Sequence, residues 1–271
     1  MAWFPPSNRS SRDQIAIVAS LAGVTALAWA YLLILAGSMS TMGSGEAHLT
    51  DSLMGLRSWT MVDGVFMFLM WATMMVGMML PSAAPMTLLY AGMVRKAGRQ
   101  GTPMASTAVF VSGYVAMWGL FSVGATAVQW VLHEAAMLTP LMAARSQVLG
   151  GGLLIVAGVY QLTPWKAVCL DHCRSPAHFI AEHWRAGACG AFRLGLHHGA
   201  FCLGCCWALM GLLFVGGVMN MLWIAAITVF VFLEKMLPVG AWSTRLGWMA
   251  GIGLIMSGVG VLVVAEGFVR F

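Results

Sequence analysis

Charged residues are scarce in this sequence: Asp, Glu, Lys and Arg make up 8% of its 271 residues, against 60% hydrophobic residues. A soluble domain has roughly 25% charged and 45–50% apolar residues, so the composition excludes an ordinary soluble protein. The sequence also lacks long polar loops, a nucleotide-binding loop, a nucleophile elbow and a carboxylate pair suited to hydrolysis. These absences argue against an ATP-driven pump or a hydrolase and indicate a polytopic membrane protein.

About seven hydrophobic runs are long enough to cross a hydrocarbon core of roughly 30 Å. They predict an all-α, polytopic transmembrane helical bundle that forms a single membrane domain over residues 1–271. We expect no cleavable signal peptide, since the first residues lack a charged start, a short apolar core and a small-residue cleavage site. The runs lie near residues 14–37, 63–94, 104–132, 146–163, 194–216, 219–237 and 246–267.

The distribution of Lys and Arg predicts the orientation, because short cytoplasmic loops retain these cations. With the N-terminus inside, eleven of the 14 fall in cytoplasmic segments and only Arg57, Arg145 and Arg270 fall outside. We therefore expect an N-in, C-out protein of the bacterial inner membrane, in which the net charge of +5 indicates topology and no nucleic-acid partner. The non-spanning segments are a cytoplasmic N-terminus, an external loop with a short interfacial helix, and a cytoplasmic Cys/His loop: residues 1–13, 38–62 and 164–193.

Cysteine is missing from most of the chain, because all six cysteines lie between residues 169 and 206. Cysteines that served only as small buried apolar residues would be scattered over every helix. The predicted topology places the first cysteines on the cytoplasmic side, where thiols are kept reduced, so a structural disulfide framework is not expected. Clustered, reduced thiols close to histidines indicate metal or redox chemistry.

The run GLHHGAFCLGCCWALMG, residues 195–211, is the strongest candidate metal site. On a helical period of about 100° per residue, His197 turns away while the other candidates share one face or its flank. Imidazole, thiolate and thioether ligands form a soft set that suits Cu(I) better than Zn(II) or Fe(II). The alternative is that the cysteines only pack as small residues beside glycines. That interpretation does not explain why two histidines occur in an apolar helix. The candidates on that face are His198, Cys202, Cys205, Cys206 and Met210.

Two further groups are candidate ligands. Cys169 and Cys173 have a spacing of four residues, which suits a thiolate clip on one helical turn, although exposed loop cysteines would fit the same pattern. Met74 and Met78 share one face of the second hydrophobic run, where thioethers would contact Cu(I) or would simply fill the core. Two prolines that follow, Pro81 and Pro85, should interrupt this helix and free backbone carbonyls.

The other polar residues in apolar runs are few. Glu234 and Lys235 end the sixth run, so the simplest interpretation places them at the membrane interface. Gln129, Gln161 and Asn220 are expected to form hydrogen bonds between helices.

Several spaced blocks together resemble an uncharacterised bacterial family of predicted metal-binding integral membrane proteins. The resemblance covers roughly residues 60 to 265. It implies a polytopic helical membrane fold with a Cys-rich and Met-rich candidate metal site and no established reaction. The blocks are MWATMMVGMMLPSAAP, YQLTPWKAVCLDHCRSP, GLHHGAFCLGCCWALM, GGVMNMLW and the pair EK.

The sequence thus predicts an inner-membrane protein that binds a soft metal, with copper(I) the best fit and zinc or iron less suitable. Such a protein would act in metal transport, in delivery with a metallochaperone partner, or as an accessory subunit of a membrane metalloenzyme, with Cys169 and Cys173 as a relay. Two alternatives stay open. One is a quinone-linked thiol-disulfide oxidoreductase, although a bridge between the adjacent Cys205 and Cys206 would be strained. The other is a structural subunit of a larger membrane complex; a non-enzymatic role is favoured over the oxidoreductase.

Overall fold

The computed structural model describes residues 8–42, 59–101, 104–139, 142–237 and 240–269. Within these ranges the chain forms eleven α-helices and one short 3-10 helix, and no strand is present there, so the predicted all-α fold is confirmed. The helices are α1 (Asn8–Met42), α2 (Met61–Met79), α3 (Ala84–Arg99), α4 (Thr107–Glu134), α5 (Gln147–Gln161), α6 (Pro164–Arg174), α7 (Pro176–His183), α8 (Gly187–Gly211), α9 (Leu213–Gly216), α10 (Met221–Met236) and α11 (Ala241–Val269).

Five helices or helix pairs are long and apolar enough to cross a membrane: α1, α2, α4, α8 with α9, and α11. The bent pair α5 and α6, with 64° between its halves, brings the number to six if it counts as one span. The sixth predicted run corresponds to α10, whose 16 residues are fewer than the roughly 20 that a straight span needs. Seven spans and their orientation therefore stay a prediction.

Most of the expected external loop, residues 43–58, lies outside the described residues. Its first residues belong to α1, which continues to Met42 instead of ending before residue 38. The expected cytoplasmic Cys/His segment, residues 164–193, is largely helical, since it contains α6, α7 and the start of α8.

The break between α2 and α3 occurs where the two prolines predict it. A 3-10 helix over Pro81–Ala83 separates the two helices, so the backbone N–H of Ala83 bonds to the carbonyl of Leu80 instead of that of Met79. The freed carbonyl of Met79 accepts hydrogen bonds from the hydroxyls of Ser82 (2.8 Å) and Tyr114 (3.0 Å). Helix α4 is thereby attached to the break through its tyrosine.

Helices α4 and α8 cross in close backbone contact. A Cβ atom on Gly113 of α4 would collide with the carbonyl oxygen of Phe192, and one on Gly195 of α8 would collide with that of Phe110. Small residues at a crossing let helix backbones approach, as they do between membrane helices. This crossing places the ligand-rich face of α8 against Tyr114.

A buried polar network joins α5, α6 and α10. The Lys166 ammonium donates to both carboxylate oxygens of Glu234, at 2.8 and 2.7 Å, and the Gln161 amide donates to the same carboxylate. The Arg174 guanidinium donates to the backbone carbonyl of Glu234 at 2.9 Å. Glu234 and Lys235 are enclosed by protein rather than solvated, because their exposed fractions are 3% and 6%, and their position at the membrane interface stays a prediction. Both charges find partners inside the fold, which a sequence pattern does not show.

The interhelical hydrogen bonds expected of Gln129 and Gln161 are confirmed, whereas Asn220 makes local bonds: it caps α10 at the Trp223 N–H and donates to the Gly216 carbonyl. Gln161 reaches Glu234, as described above. Gln129 of α4 accepts from the Trp71 indole N–H of α2 at 2.5 Å, and its amide nitrogen lies 2.8 Å from the Met142 sulfur. Gln129 therefore connects α2, α4 and the segment that leads into α5.

The α4–α8 crossing predicts opposite effects of one substitution at two glycines of α4. Gly113→Ala should destabilise the protein by about 1–3 kcal/mol, because the added methyl meets backbone that cannot move aside. Gly119→Ala is the matched control: a Cβ there meets no atom within 4 Å, and alanine favours the helix by roughly 1 kcal/mol. Thermal unfolding in detergent measures both. Equal melting temperatures for the two variants would contradict the crossing.

The ion pair of Lys166 and Glu234 predicts a strongly non-additive mutant cycle. Glu234→Gln should cost about 3–5 kcal/mol of unfolding free energy, because it leaves the Lys166 ammonium buried and unpaired. Adding Lys166→Met should restore part of that loss, since the double variant buries no lone charge. Glu182→Gln, in an exposed pair with His178, should change stability by less than about 1 kcal/mol. Additive losses in the cycle would show that the pair is not coupled.

Candidate metal site

Helix α8 presents the predicted ligands on one buried face. His198, Cys202, Cys205 and Cys206 are all nearly inaccessible, with at most 3% of each residue exposed. The thiols of Cys205 and Cys206 both donate to the backbone carbonyl of Cys202, at 3.0 Å each. Met210, one turn further along, is fully buried in the same core. The common face that the helical period predicts is confirmed.

Helix α6 adds a cysteine from outside α8. Cys173 is half-buried and packs against the core that contains Cys202, Cys205 and Cys206, so cysteines from two helices lie in the same region. Cys169, one turn earlier on α6, packs its sulfur against Gly204 of α8. All of these cysteines are free thiols. The group of Cys173, Cys202, Cys205 and Cys206 is called the thiol cluster below.

A lysine and a tyrosine contact the thiol cluster. The Lys235 ammonium of α10 lies 2.8 Å from the Cys202 sulfur, and the Tyr114 hydroxyl of α4 lies 3.0 Å from it. The same ammonium is 3.3 Å from the Ser82 hydroxyl and 3.8 Å from the Met79 sulfur at the proline break. An ammonium group interacts more favourably with a thiolate than with a neutral thiol, so its charge supports the metal-binding form of Cys202.

The imidazole of His198 is enclosed by aromatic rings. Phe110, Tyr114 and Phe179 lie 6.2, 5.6 and 5.5 Å from it between ring centroids. Its Nδ1 atom is buried and has no hydrogen-bond partner among the described residues. Buried polar atoms in native proteins are nearly always paired, and an unpaired one calls for an explanation such as an ion that is not present. This orphaned nitrogen therefore fits a ligand role.

Most of the methionines of α2 are buried in the core, and one of them also contacts the Lys235 ammonium. Met74 and Met78 are buried in the hydrophobic core that also contains the cysteines of α8. Met79, which the sequence analysis did not select, brings its sulfur to within 3.8 Å of the Lys235 ammonium. Met79 of α2 thus makes a polar contact at the edge of the thiol cluster.

Two other Cys and His residues of this region lie apart from the thiol cluster. His197 is half-buried on another side of α8, and its ring centroid lies 5.5 Å from that of His183. The helical period predicts that His197 and His198 face different sides of the helix, and the structure agrees. Cys189 is exposed near the start of α8.

The described residues contain no group of three or more His, Cys, Asp or Glu side chains already arranged to hold a metal ion. Structural zinc sites need four such ligands in a tetrahedral arrangement. A linear complex needs two sulfur ligands, and soft thiolates select Cu(I) among the common metals. The geometry of the thiol cluster therefore fits a site of low coordination number better than a preformed zinc site.

Sequence reasoning missed four of the residues that surround the cysteines: Tyr114, Met79, Ser82 and Lys235. Lys235 carried a usable signal, because an ionisable residue in an apolar helix is by default a functional candidate with a partner to be found. The contacts of Tyr114 and Ser82 depend on the break after α2 and on the α4–α8 crossing, which no local pattern specifies.

The described geometry can be compared with known proteins. No curated protein and no solved structure matches the chain. A family model described as PpoB2, copper chaperone, matches residues 68–261. The matched region contains the proline break, α6, the thiol cluster and Lys235. Because the match covers most of the chain and the whole candidate site, the chain belongs to the PpoB2 copper chaperone family.

Proposed function

We propose that the protein is an integral membrane chaperone that binds Cu(I) at the thiol cluster and delivers it to a cuproenzyme. One observation carries the proposal: half-buried free thiols of α6 pack against the core that contains three buried free thiols of α8, in a chain of a copper chaperone family. The family connects the chain with copper, and the softness of the ligands favours the monovalent ion. Delivery is preferred to transport because the family is one of chaperones.

The ligands in this proposal come from two helices. Cys202 binds Cu(I) together with Cys205, Cys206 or Cys173, and His198 is available through its unpaired Nδ1 atom. Met210, Met74 and Met78 line the core around the cysteines and supply thioethers that bind Cu(I) without losing a proton. Cys169, half-buried beside Gly204, lies one helical turn from Cys173 and extends the path toward the surface as a relay. His197 stays at the margin, next to His183.

The membrane location is part of the proposal. Five candidate spans, or six with the bent pair, support insertion in a bilayer. The Lys and Arg distribution supports an N-in orientation in a bacterial inner membrane. The partner is then a membrane metalloenzyme or a metallochaperone that exchanges the ion through thiolates.

A second candidate function depends on the packing of Cys173 against the core that contains Cys202 and Cys205. Thiols on two different helices could close a disulfide without the strain of an adjacent pair. Two thiols would then lose two electrons and two protons to a quinone. This redox cycle requires no bound metal, so metal analysis separates it from the copper proposal.

Removal of the three buried α8 thiols should abolish copper binding. We expect wild-type protein, purified anaerobically in mild detergent and exposed to Cu(I), to contain about one copper per chain by elemental mass spectrometry. The variant Cys202→Ser/Cys205→Ser/Cys206→Ser should contain little, because serine oxygen is a poor ligand for a soft ion. Cys189→Ser, at the exposed cysteine remote from the cluster, is the matched control and should retain copper. Folded wild-type protein that takes up no Cu(I) would overturn the proposal.

The proposed orientation predicts one-sided labelling of Cys189. This exposed thiol should react with a membrane-impermeant maleimide in inverted vesicles and stay unlabelled in intact spheroplasts. The reverse pattern is expected for Arg145→Cys in a Cys189→Ser background, since residue 145 is exposed in the segment predicted to lie outside. Labelling of Cys189 from the outer side would contradict the N-in orientation.

A further inference from the structure

Lys235 is a buried cation that contacts sulfur rather than a carboxylate. Its ammonium lies 2.8 Å from the Cys202 sulfur, 3.8 Å from the Met79 sulfur and 3.3 Å from the Ser82 hydroxyl. Only 6% of the residue is exposed. The preceding Glu234 does not neutralise it, because that carboxylate is held by Lys166 at 2.7 Å.

The charge of Lys235 therefore needs an anion from the thiol cluster. A buried charge without a partner is strongly unfavourable, and pairing recovers part of that cost. Among the described residues, Lys166 and Glu234 already form a neutral pair. The closest group able to carry the missing negative charge is Cys202, the sulfur in contact with the ammonium.

The charge of a bound ion changes this balance. Cu(I) with two thiolates carries one net negative charge, and one lysine makes the assembly neutral. A divalent ion with two thiolates is already neutral, so the same lysine leaves one positive charge buried. A divalent ion could reach neutrality with three thiolates, but the described residues hold no preformed group of three such ligands. Burial thus favours the monovalent ion at this position.

We infer that Lys235 is the counter-cation of a two-thiolate Cu(I) complex and makes the thiol cluster selective for monovalent copper over divalent ions. The inference deepens the proposed function and rests on it. Lys235 acts through charge and not as a ligand, because an ammonium has no lone pair to donate. Its contacts with Ser82 and Met79 at the proline break hold the ammonium beside the thiols in place.

The test compares Cu(I) and Zn(II) affinities of Lys235 variants. Competition with a chromophoric chelator measures each dissociation constant in detergent. Lys235→Met keeps the length of the side chain and removes its charge, so it should weaken Cu(I) binding by about thirtyfold or more. Zn(II) binding should be unchanged or tighter, which lowers the ratio of the two affinities. Lys235→Arg keeps the charge and should keep the ratio within about threefold of wild type.

Lys96→Met, at an exposed lysine of α3, removes the same charge from the surface and is the matched control. It should leave both affinities unchanged. A wild-type ratio of Cu(I) to Zn(II) affinity in Lys235→Met would overturn the inference while leaving the proposed function in place. Wild-type protein that binds no Cu(I) at all would instead end the proposed function and the inference together.

A measurement on wild-type protein decides the case if Lys235→Met does not fold. X-ray absorption at the copper edge counts the sulfur ligands of the bound ion. Two thiolate sulfurs, with or without a more distant thioether or an imidazole nitrogen, support the charge balance. Three thiolate sulfurs would give a Cu(I) complex with two negative charges, which one lysine does not neutralise, and would overturn the inference.

Discussion

The buried ion pair between Lys166 and Glu234 determines where the thiol cluster forms. Lys166 stands on α6 and Glu234 on α10, and Gln161 of α5 binds the same carboxylate. The residue after Glu234 is Lys235, whose ammonium reaches Cys202. Cys173 directly precedes Arg174, which donates to the Glu234 carbonyl at 2.9 Å. One ion pair thereby fixes α6 and α10 together, and the neighbours of its network deliver a thiol and a cation to the same face of α8.

The proline break between α2 and α3 also supports that face. Because Pro81 starts a 3-10 turn, the Met79 carbonyl is free to accept from Tyr114, whose hydroxyl also contacts the Cys202 sulfur. The tyrosine reaches this position only because Gly113, its neighbour in α4, permits close contact with α8. Hydrogen bonding and backbone packing thus act on the same few residues. Polar groups in such an apolar core are costly unless fully paired, which makes these contacts specific.

Local periodicity explains how much of this could be predicted. The shared face of His198, Cys202 and Cys205 follows from the geometry of one helix, and the interruption after α2 follows from the chemistry of proline. The burial of Glu234 and Lys235 could not be predicted in this way, because a charge at a helix end is either solvated or paired depending on residues far away in sequence. Lys166 lies 68 positions from Glu234, and Lys235 lies 33 from Cys202. The number of spans does not follow from hydrophobic runs alone for a related reason: the sixth run forms the short helix α10, and the fourth forms α5, which bends into α6.

A chaperone must release its ion as well as bind it, and the described thiols suit both steps. A preformed set of three or four ligands would hold a metal tightly, and no such set is present in the described part of the chain. In the proposed function, thiols contributed by α6 and α8 would instead let a bound ion exchange one sulfur at a time, from Cys202 or Cys205 to Cys173. Cys169 lies one turn earlier on α6 and, like Cys173, is half-buried. Each exchange would keep two thiolates on the ion and one ammonium nearby, so the buried charge would stay balanced until the ion approached the surface, where water would take over that role.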